Sequence, residues 1–434
     1  KATLRQRGGD SRLRLAEADF FVTDWKDILD ELPEPILVLG NLPWVTNAQL
    51  GALGSRNLPA KSNFQNHSGL DAITGKSNFD ISEWMLIRLL EAMNGRRGVL
   101  AILCKSSVAR KVLRHAWKND IALSTSAVYR IDADLHFAAA VDAVLLVTYF
   151  EPAGCNLTAR VYRDLEADRP EGILGYEDGM LLADIAAYER GRHLCCEGAT
   201  NWRSGIKHDC SRVMELLREG RKYRNGLGEL VELEDLYVYP MLKSSDLANG
   251  APRSKNRCMI VPQRTVGEDT SAIQARAPKT WAYLTAHGDL LAKRSSSIYR
   301  NRPAFSIFGV GDYTFAPWKV GISGFYKRLA FGVVGPVHGK PVVFDDTSYF
   351  LPCQTKEQAE CAAAVLNSPE ACSFYNAFVF WDSKRPITAD VLRRLDLRQL
   401  AMELGLEDRF TACFRTCEDR RSCVVQSPQR ELWS

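Results

Sequence analysis

The apolar run Ile36-Leu37-Val38-Leu39 stops at Gly40 and is followed at once by Asn41-Leu42-Pro43-Trp44. A continuous apolar run suits a strand buried on both faces of a parallel sheet. Ligands on open α/β sheets bind beyond the carboxyl ends of the strands. An Asn, a Pro and an aromatic residue placed there can handle a planar amine. The Asn side-chain oxygen and a backbone carbonyl each accept a hydrogen bond from an exocyclic NH2. The aromatic ring stacks on the base that carries it. Together they localise the nitrogen lone pair and aim it at an electrophile. Taken alone, the same residues also make an ordinary strand-to-turn exit, because Asn and Pro are common turn residues.

The elements that must position these residues lie on both sides of them. Residues 1–7 read as the end of a helix, and 15–21 as a short strand ending in Asp19-Phe20-Phe21. Asp80 offers an N-cap for a helix over Ile81–Met93, in which Trp84, Leu86, Leu89, Leu90 and Met93 recur at roughly helical spacing. Residues 98–104 form another buried-strand run, 107–118 a partly basic helix, and 127–131 and 141–150 two more strands. These last two are joined too closely for a helical crossover, which predicts antiparallel neighbours. Strands alternating with helices predict a doubly wound α/β sheet. The pattern breaks at Pro and Gly near 151–155. A mixed connector follows over 156–200, with a helical stretch near 180–190. An α+β domain is expected over 201–400, with helices near 357–366 and 370–379, and a charged, weakly packed tail over 401–434.

At roughly 100–200 residues per domain, 434 residues suggest two or three domains. Hydrophobic residues at 46% and charged residues at 25% are those of a soluble globular protein, which excludes a disordered or fibrous chain. The longest apolar runs, such as Ala143–Phe150, are too short to span a bilayer, so no membrane partner is expected. Residues 1–7 lack the apolar core of a signal peptide. The chain opens in mid-pattern without Met, so further sequence is expected upstream. A net charge of +4 says less about partners than local clustering does. Twelve cysteines without a C-x-x-C pair read as reduced thiols in the cytoplasm. Cys413, Cys417 and Cys423 lack a nearby His, so packed thiols are favoured over zinc. The seven His form no H-E-x-x-H pair, and His193 beside Cys195 and Cys196 reads as structural; no metal is expected. Gly309-Val310-Gly311-Asp312 reads as a turn. Mixtures of basic and aromatic residues occur at 202–208, 299–303 and 313–319. In the segments 202–208 and 313–319, Arg and Lys can meet phosphates while the rings stack; solvated loops are the plainer alternative.

The Asn41 segment resembles the gamma-class DNA adenine-N6 methyltransferases, including the methylase parts of type IIG restriction-modification enzymes. That family carries Asn/Asp-Pro-Pro-Tyr/Phe/Trp after its fourth strand; here the match is Asn41-Leu42-Pro43-Trp44, with Leu42 where the family has Pro. Pro to Leu frees φ at that position. Ala18-Asp19-Phe20 resembles the third motif, whose acidic residue accepts from the amino group of the cofactor's adenine. Residues 62–84 resemble the segment lining the target-base cleft, and 98–106 the following strand and loop. His136-Phe137-Ala138-Ala139-Ala140-Val141 resembles the motif whose aromatic packs against the flipped base. Residues 381–395, with Lys384-Arg385-Pro386, resemble the end of target-recognition domains. The family's glycine-rich cofactor turn and ribose-binding acid have no match before Asp19.

The resemblance implies a class I methyltransferase-like doubly wound sheet with an antiparallel last strand over 1–155. A connector over 156–200, an α+β DNA target-recognition domain over 201–400 and a tail over 401–434 would follow. It implies site-specific transfer of methyl from S-adenosylmethionine to adenine N6 in duplex DNA, with the base flipped out of the stack. Asn41 and Pro43 would orient the amine, Trp44 would stack on the base, Phe137 would close the other side, and Asp19 and Phe20 would hold the cofactor adenine. DNA contacts fall to Trp202, Arg203, Lys207, Tyr313, Lys319, Lys384 and Arg385. Double-stranded DNA and a restriction endonuclease are the implied partners. A second reading is a degenerate methyltransferase-like recognition subunit partnering a nuclease, which Leu42 and the unmatched cofactor turn favour. A third, methylation of RNA or of protein glutamine, fits the long C-terminal domain less well.

Overall fold

The computed structural model describes residues 16–44, 80–137, 141–196, 198, 200–249 and 256–418. The chain divides into two compact units, one running to Ile185 and one from Ala186. The proposed helix end at 1–7 and most of the segment 62–84 lie outside the described residues.

The first unit is built on a seven-stranded sheet of order β1-β2-β4-β3-β5-β6-β7. β1 (Ile36–Asn41) and β2 (Gly98–Lys105) are parallel, in register from Ile36 opposite Gly98 to Asn41 opposite Leu103. Parallel neighbours need a crossover, and its helix is Ile81–Met93, whose N-terminus Asp80 caps by accepting from the Ser82 amide at 3.2 Å. The helix Ser106–Lys118 leads from β2 to β3 (Leu123–Ile131). β4 (Ala143–Phe150) then inserts between β2 and β3, antiparallel to both, as the short connection predicts. Leu86, Leu90 and Met93 of the first helix and Val112 and Leu113 of the second are buried against Leu100, Ile102, Leu123, Leu146 and Phe150. Each fully buried side chain of this size contributes about 1.5–3 kcal/mol.

Two expectations for this unit differ from the structure. Residues 19–22 form a turn rather than the end of a strand. The Asp19 carboxylate accepts from the Phe21 amide at 3.0 Å, and its carbonyl accepts from Val22 and Thr23 at 3.3 and 3.1 Å. An Asp that bonds its own backbone two residues on favours a turn over a ladder. The segment placed in a connector supplies strands instead. β5 (Thr158–Tyr162) runs parallel to β3, and β6 (Gly172–Glu177) and β7 (Met180–Leu182) extend the sheet. Ala159 and Leu174 are the reason, since both are buried in the same core.

The second unit holds two sheets. The six-stranded one has the order β11-β10-β9-β13-β12-β16. Its strands are β9 (Glu215–Glu219), β10 (Lys222–Asn225), β11 (Leu230–Val231), β12 (Val238–Leu242), β13 (Arg257–Ile260) and β16 (Val343–Phe344). The four-stranded one has the order β15-β14-β17-β8, from β8 (Arg203–Ser204), β14 (Trp318–Ser323), β15 (Gly332–Val334) and β17 (Ser348–Cys353). The helices Lys356–Leu366 and Pro369–Asn376 lie near the expected positions. The described part of the tail is helical over Leu397–Glu403 and Glu407–Glu418, and Gln358 donates to the Cys413 carbonyl at 2.7 Å, so it packs on the unit.

Gly98 begins β2 directly beside Ile36. A methyl group there would run into the Ile36 carbonyl oxygen and meet the Met93 side chain. Gly98→Ala is expected to cost about 1–3 kcal/mol, as overpacking does; thermal unfolding followed by circular dichroism checks this, and an unchanged Tm would contradict the packing described.

Lys319 in β14 is 1% exposed and donates to the Ala316 carbonyl at 2.6 Å. Burial pushes its pKa down from the usual 10.5 to about 7, with Cys353 only partly opposing. Below about pH 7 the native state holds a buried ammonium. Between about 7 and 10 the native amine is neutral while the unfolded one is still charged. The unfolded state then binds more protons, so this residue makes stability rise with pH across that window. Lys319→Met is expected to raise Tm at pH 6 and to help progressively less toward pH 10, in paired melts of the two proteins.

Candidate active site

β1 and β2 end side by side, with Asn41 opposite Leu103 and β2 running on to Lys105. Beyond the strand, Asn41 and Pro43 are exposed while Leu42 and Trp44 are half-buried. Leu42 is the anchor: it packs with Phe20, Phe21 and Trp84 around buried Ile81 and Met85. An apolar side chain held between two exposed neighbours fixes the loop on the protein and leaves the Asn41 amide facing water. This is what a group that must meet a substrate amine requires.

The same contacts bring the Asp19-Phe20 turn to this loop. The Phe20 ring lies 4.5 Å from Trp25 and 6.4 Å from Trp84, and Phe21 lies 5.3 Å from Trp84. Trp25 also donates to the Phe20 carbonyl at 3.2 Å. Asp19 is half-buried, and Oδ1 accepts from the Phe21 amide, while Oδ2 accepts no hydrogen bond among the described residues. A spare carboxylate oxygen beside an aromatic wall fits the adenine end of a nucleoside cofactor, whose amino group donates and whose ring needs an apolar face.

Phe137 ends the short helix Ala133–Phe137 in the β3–β4 connection. Its side chain lies outside the described residues. The connection itself is placed by register, for Ala143 at the start of β4 lies opposite both Lys105 and Ile131. It therefore leaves the sheet at the same end as Asn41.

A residue not singled out from the sequence closes β2. Lys105 donates to the Asp80 carboxylate at 2.5 Å and to the Trp44 carbonyl at 3.2 Å. Next to it, the Ser106 amide and hydroxyl both donate to the Asp142 carbonyl, at 2.8 and 3.0 Å. The signal was a lone cation terminating an apolar run. The neighbouring Cys104 is buried, and burial together with the Asp80 carboxylate pushes its thiol up to about 12, so it is no nucleophile near neutral pH. On the helix Ile81–Met93, buried Glu83 is met by Lys111 at 2.7 Å.

The residues assigned to DNA in the second unit do not stand together on its surface. Trp202 is 0% exposed and packs 5.8 Å from Phe331, and Lys319 is buried in β14. A fully buried side chain cannot reach a phosphate or wedge into a base stack, so these two serve the core. The half-buried Arg203 guanidinium lies 4.8 Å from the Tyr313 ring centre, and Tyr313 lies 6.2 Å from Phe350. Burial raises the Tyr313 phenol pKa. Lys207 is half-buried and 3.6 Å from Asp209. Lys384 is exposed, and half-buried Arg385 covers the Phe325 ring at 4.8 Å. Sequence reasoning passed over more accessible cations: Arg264, Lys293, Arg300 and Arg302 are all exposed.

No protein-family model matches the chain. It is similar to the type II methyltransferase M.NspV of a Nostoc species, with 46% identity over 393 residues that cover 90% of this chain and 82% of that protein. Among solved structures, it resembles the type IIL restriction-modification enzyme MmeI in complex with DNA, with TM-score 0.47, 13% identity, and 94% of this chain and 60% of that one covered. It also resembles the type IIG restriction endonuclease BpuSI, with TM-score 0.26, 12% identity, and 85% and 48% covered. A third resemblance is to the ATP-dependent type ISP restriction-modification enzyme LlaBIII bound to DNA, with TM-score 0.33, 10% identity, and 79% and 26% covered. The chain thus spans less than two thirds of each of these three chains, and at such TM-scores the likenesses decide nothing further. The identity to M.NspV does decide: carried across nine tenths of the sequence, it makes this chain a member of the type II methyltransferases.

Proposed function

We propose that the protein transfers methyl from S-adenosylmethionine to N6 of adenine in duplex DNA, acting on a base turned out of the stack. The observation that carries this reading is exposed Asn41 at the carboxyl end of a parallel strand, followed by exposed Pro43 and half-buried Trp44. The insertion of antiparallel β4 between β2 and β3 supports a class I methyltransferase fold. Leu42 supports an intact loop, because the residue that departs from the family pattern is packed rather than loose.

When bound, the cofactor supplies an electrophilic methyl group. The chain's own residues do the rest. Asn41 Oδ1 and the Pro43 carbonyl accept the two N–H groups of the adenine amine, which turns its lone pair out of conjugation and toward the methyl. Trp44 stacks on the base, and Phe137 approaches from the β3–β4 side. Asp19 Oδ2 and the Phe20 ring receive the cofactor's adenine. Such catalysis is mainly positioning of two substrates; the electron pair of the broken C–S bond would stay on the thioether product, and methylated N6 would release its surplus proton to water. Among the described residues no cluster of His, Cys, Asp or Glu could hold a metal, and no helix is long and apolar enough to cross a membrane.

The second unit is the proposed target-recognition part. Arg302 lies over Phe308 at 5.8 Å, Arg264 over Phe315 at 4.3 Å, and Arg294 over Tyr299 at 3.6 Å. The Tyr299 hydroxyl donates to the Lys207 carbonyl at 3.3 Å, and Lys207 and Phe308 exchange backbone bonds. Lys207, Arg300 and Arg302 are therefore carried on one interlinked set of loops. A restriction endonuclease remains the proposed biological counterpart of this activity.

Asn41→Ala is expected to lower methyl transfer about 100-fold or more, with DNA affinity close to that of the parent. Labelled-cofactor transfer to unmethylated phage DNA, paired with a gel-shift titration, measures both, and retention of more than about a tenth of the rate would overturn the role given to Asn41.

If phosphate contacts dominate the affinity, Kd should climb steeply with salt. Replacing Arg300 and Arg302 together with Ala is expected to reduce the slope of log Kd against log salt by about two. An unaltered slope would remove this loop set from the DNA surface.

A further inference from the structure

The methyltransferase reading uses the exit of β1 and the loop before β4, and leaves Lys105 and Ser106 without a part. Yet this dipeptide closes the strand that pairs with both β1 and β4. The two residues reach in opposite directions. Lys105 Nζ donates to the Trp44 carbonyl on the β1 side, and Ser106 donates twice to the Asp142 carbonyl on the β4 side. Trp44 follows Pro43, whose carbonyl is to accept the amine. Asp142 lies five residues after Phe137.

An ammonium on a four-carbon stem positions nothing unless it is itself held. Here Asp80 holds it at 2.5 Å, and Asp80 is held in turn, with Oδ1 accepting from the Ser82 hydroxyl at 2.6 Å and amide at 3.2 Å. The side chains of Lys105 and Asp80 are 25% and 9% exposed. Bonds between charged groups so shielded from water are stronger than those of an open surface pair. The restraint therefore runs from the N-terminus of the helix Ile81–Met93, through a carboxylate and an ammonium, to the carbonyl next to the proposed amine acceptor. The helix cap does not depend on Lys105, because it is made through Oδ1 alone, whereas Lys105 binds Oδ2.

We propose that Lys105 and Ser106 form a positioning hub that sets the gap between the segment Asn41–Trp44 and Asp142 at the start of β4. Lys105 acts through the Trp44 carbonyl and Asp80, and Ser106 through the Asp142 carbonyl. The proposal rests on the methyltransferase reading of this site. Lys105 touches neither substrate; it fixes the residues that do. Its loss should therefore appear in kcat rather than in DNA affinity.

The test is a steady-state methyl-transfer assay of the full-length gene product on unmethylated phage DNA with labelled S-adenosylmethionine, alongside a gel-shift titration and a thermal melt. Lys105→Met is expected to lower kcat about 100-fold, the scale of a misplacement near 1 Å, with Kd for DNA nearly unchanged; Tm should fall too, because the shielded Asp80 carboxylate loses its partner. Lys105→Arg, which keeps charge and donors, should restore part of that rate. Asp80→Asn keeps a good N-cap but loses the charge pair, and should lower kcat in the same direction. The double variant Lys105→Met, Asp80→Asn should be no slower than Lys105→Met alone, because both act through one linkage. Wild-type kcat in Lys105→Met overturns the hub. So does a kcat that returns to the wild-type value in the double variant as its Tm recovers, which marks a merely structural residue. If the unmodified protein methylates no DNA, the functional reading of the site fails instead.

Discussion

The six-residue parallel pairing of β1 with β2 is the constraint on which the site depends. It demands close backbone approach at Gly98, where only a glycine fits beside Ile36. It also demands a crossover, because two parallel strands cannot be joined by a tight turn. The crossover helix starts near the carboxyl end of β1 and runs back along the sheet. Its capped N-terminus at Asp80, the exit at Asn41 and the end of β2 at Lys105 thus converge on one edge. The ion pair between Asp80 and Lys105 is a consequence of that topology, and so is the gathering of Phe20, Phe21, Leu42 and Trp84 on Ile81 and Met85.

Much of this edge was legible in the sequence, for physical reasons that can be named. The run from Ile36 to Leu39 and the run at 98–104 are strands because continuous apolar residues must be buried on both faces. The helix Ile81–Met93 begins where Asp80 can cap it. The antiparallel relation of β3 and β4 followed from the few residues between them. The turn at Asp19 was not legible as such. Apolar residues flank it, and the bonds from the Phe21, Val22 and Thr23 amides back to Asp19 decide against a strand. The strands β5 to β7 were missed because they are short and separated by polar connections that hold Pro170 and Gly179. Their assignment depends on Ala159 and Leu174 finding a core that earlier strands supply.

The second unit shows why basic and aromatic residues are a poor guide to a DNA surface when read in one dimension. Arg203 over Tyr313, Lys319 beside Phe350 and Arg385 over Phe325 are the pairings a nucleic-acid platform would use, but here they are made within the protein. Cation–aromatic contact serves a core as well as a binding face. What separates the two is the strand around the cation. Val320, Gly321, Ile322 and Ser323 are all buried after Lys319, so β14 has no solvent face on which a lysine could stand. Arg300 and Arg302, by contrast, sit beside Asn301 and Pro303 and remain exposed.

The departure at Leu42 is best understood as an exchange of one kind of restraint for another. A proline at that position would restrict the unfolded chain, an effect worth about 0.4–1 kcal/mol. A leucine gives up that restriction and gains burial, up to about 1.5–3 kcal/mol when complete and less for a half-buried side chain. The two magnitudes are of the same order, so the loop loses little stability by the change. Its conformation then depends on tertiary contacts instead of on a fixed φ. Leu42 is held by packing against buried Ile81 and Met85, and two residues later the Trp44 carbonyl is held by Lys105. Between these two fastenings lies Pro43, the remaining proline, whose own φ is fixed. Local stiffness at one position and packed contacts at its neighbours can give the Asn41–Trp44 turn the rigidity that two successive prolines give it elsewhere.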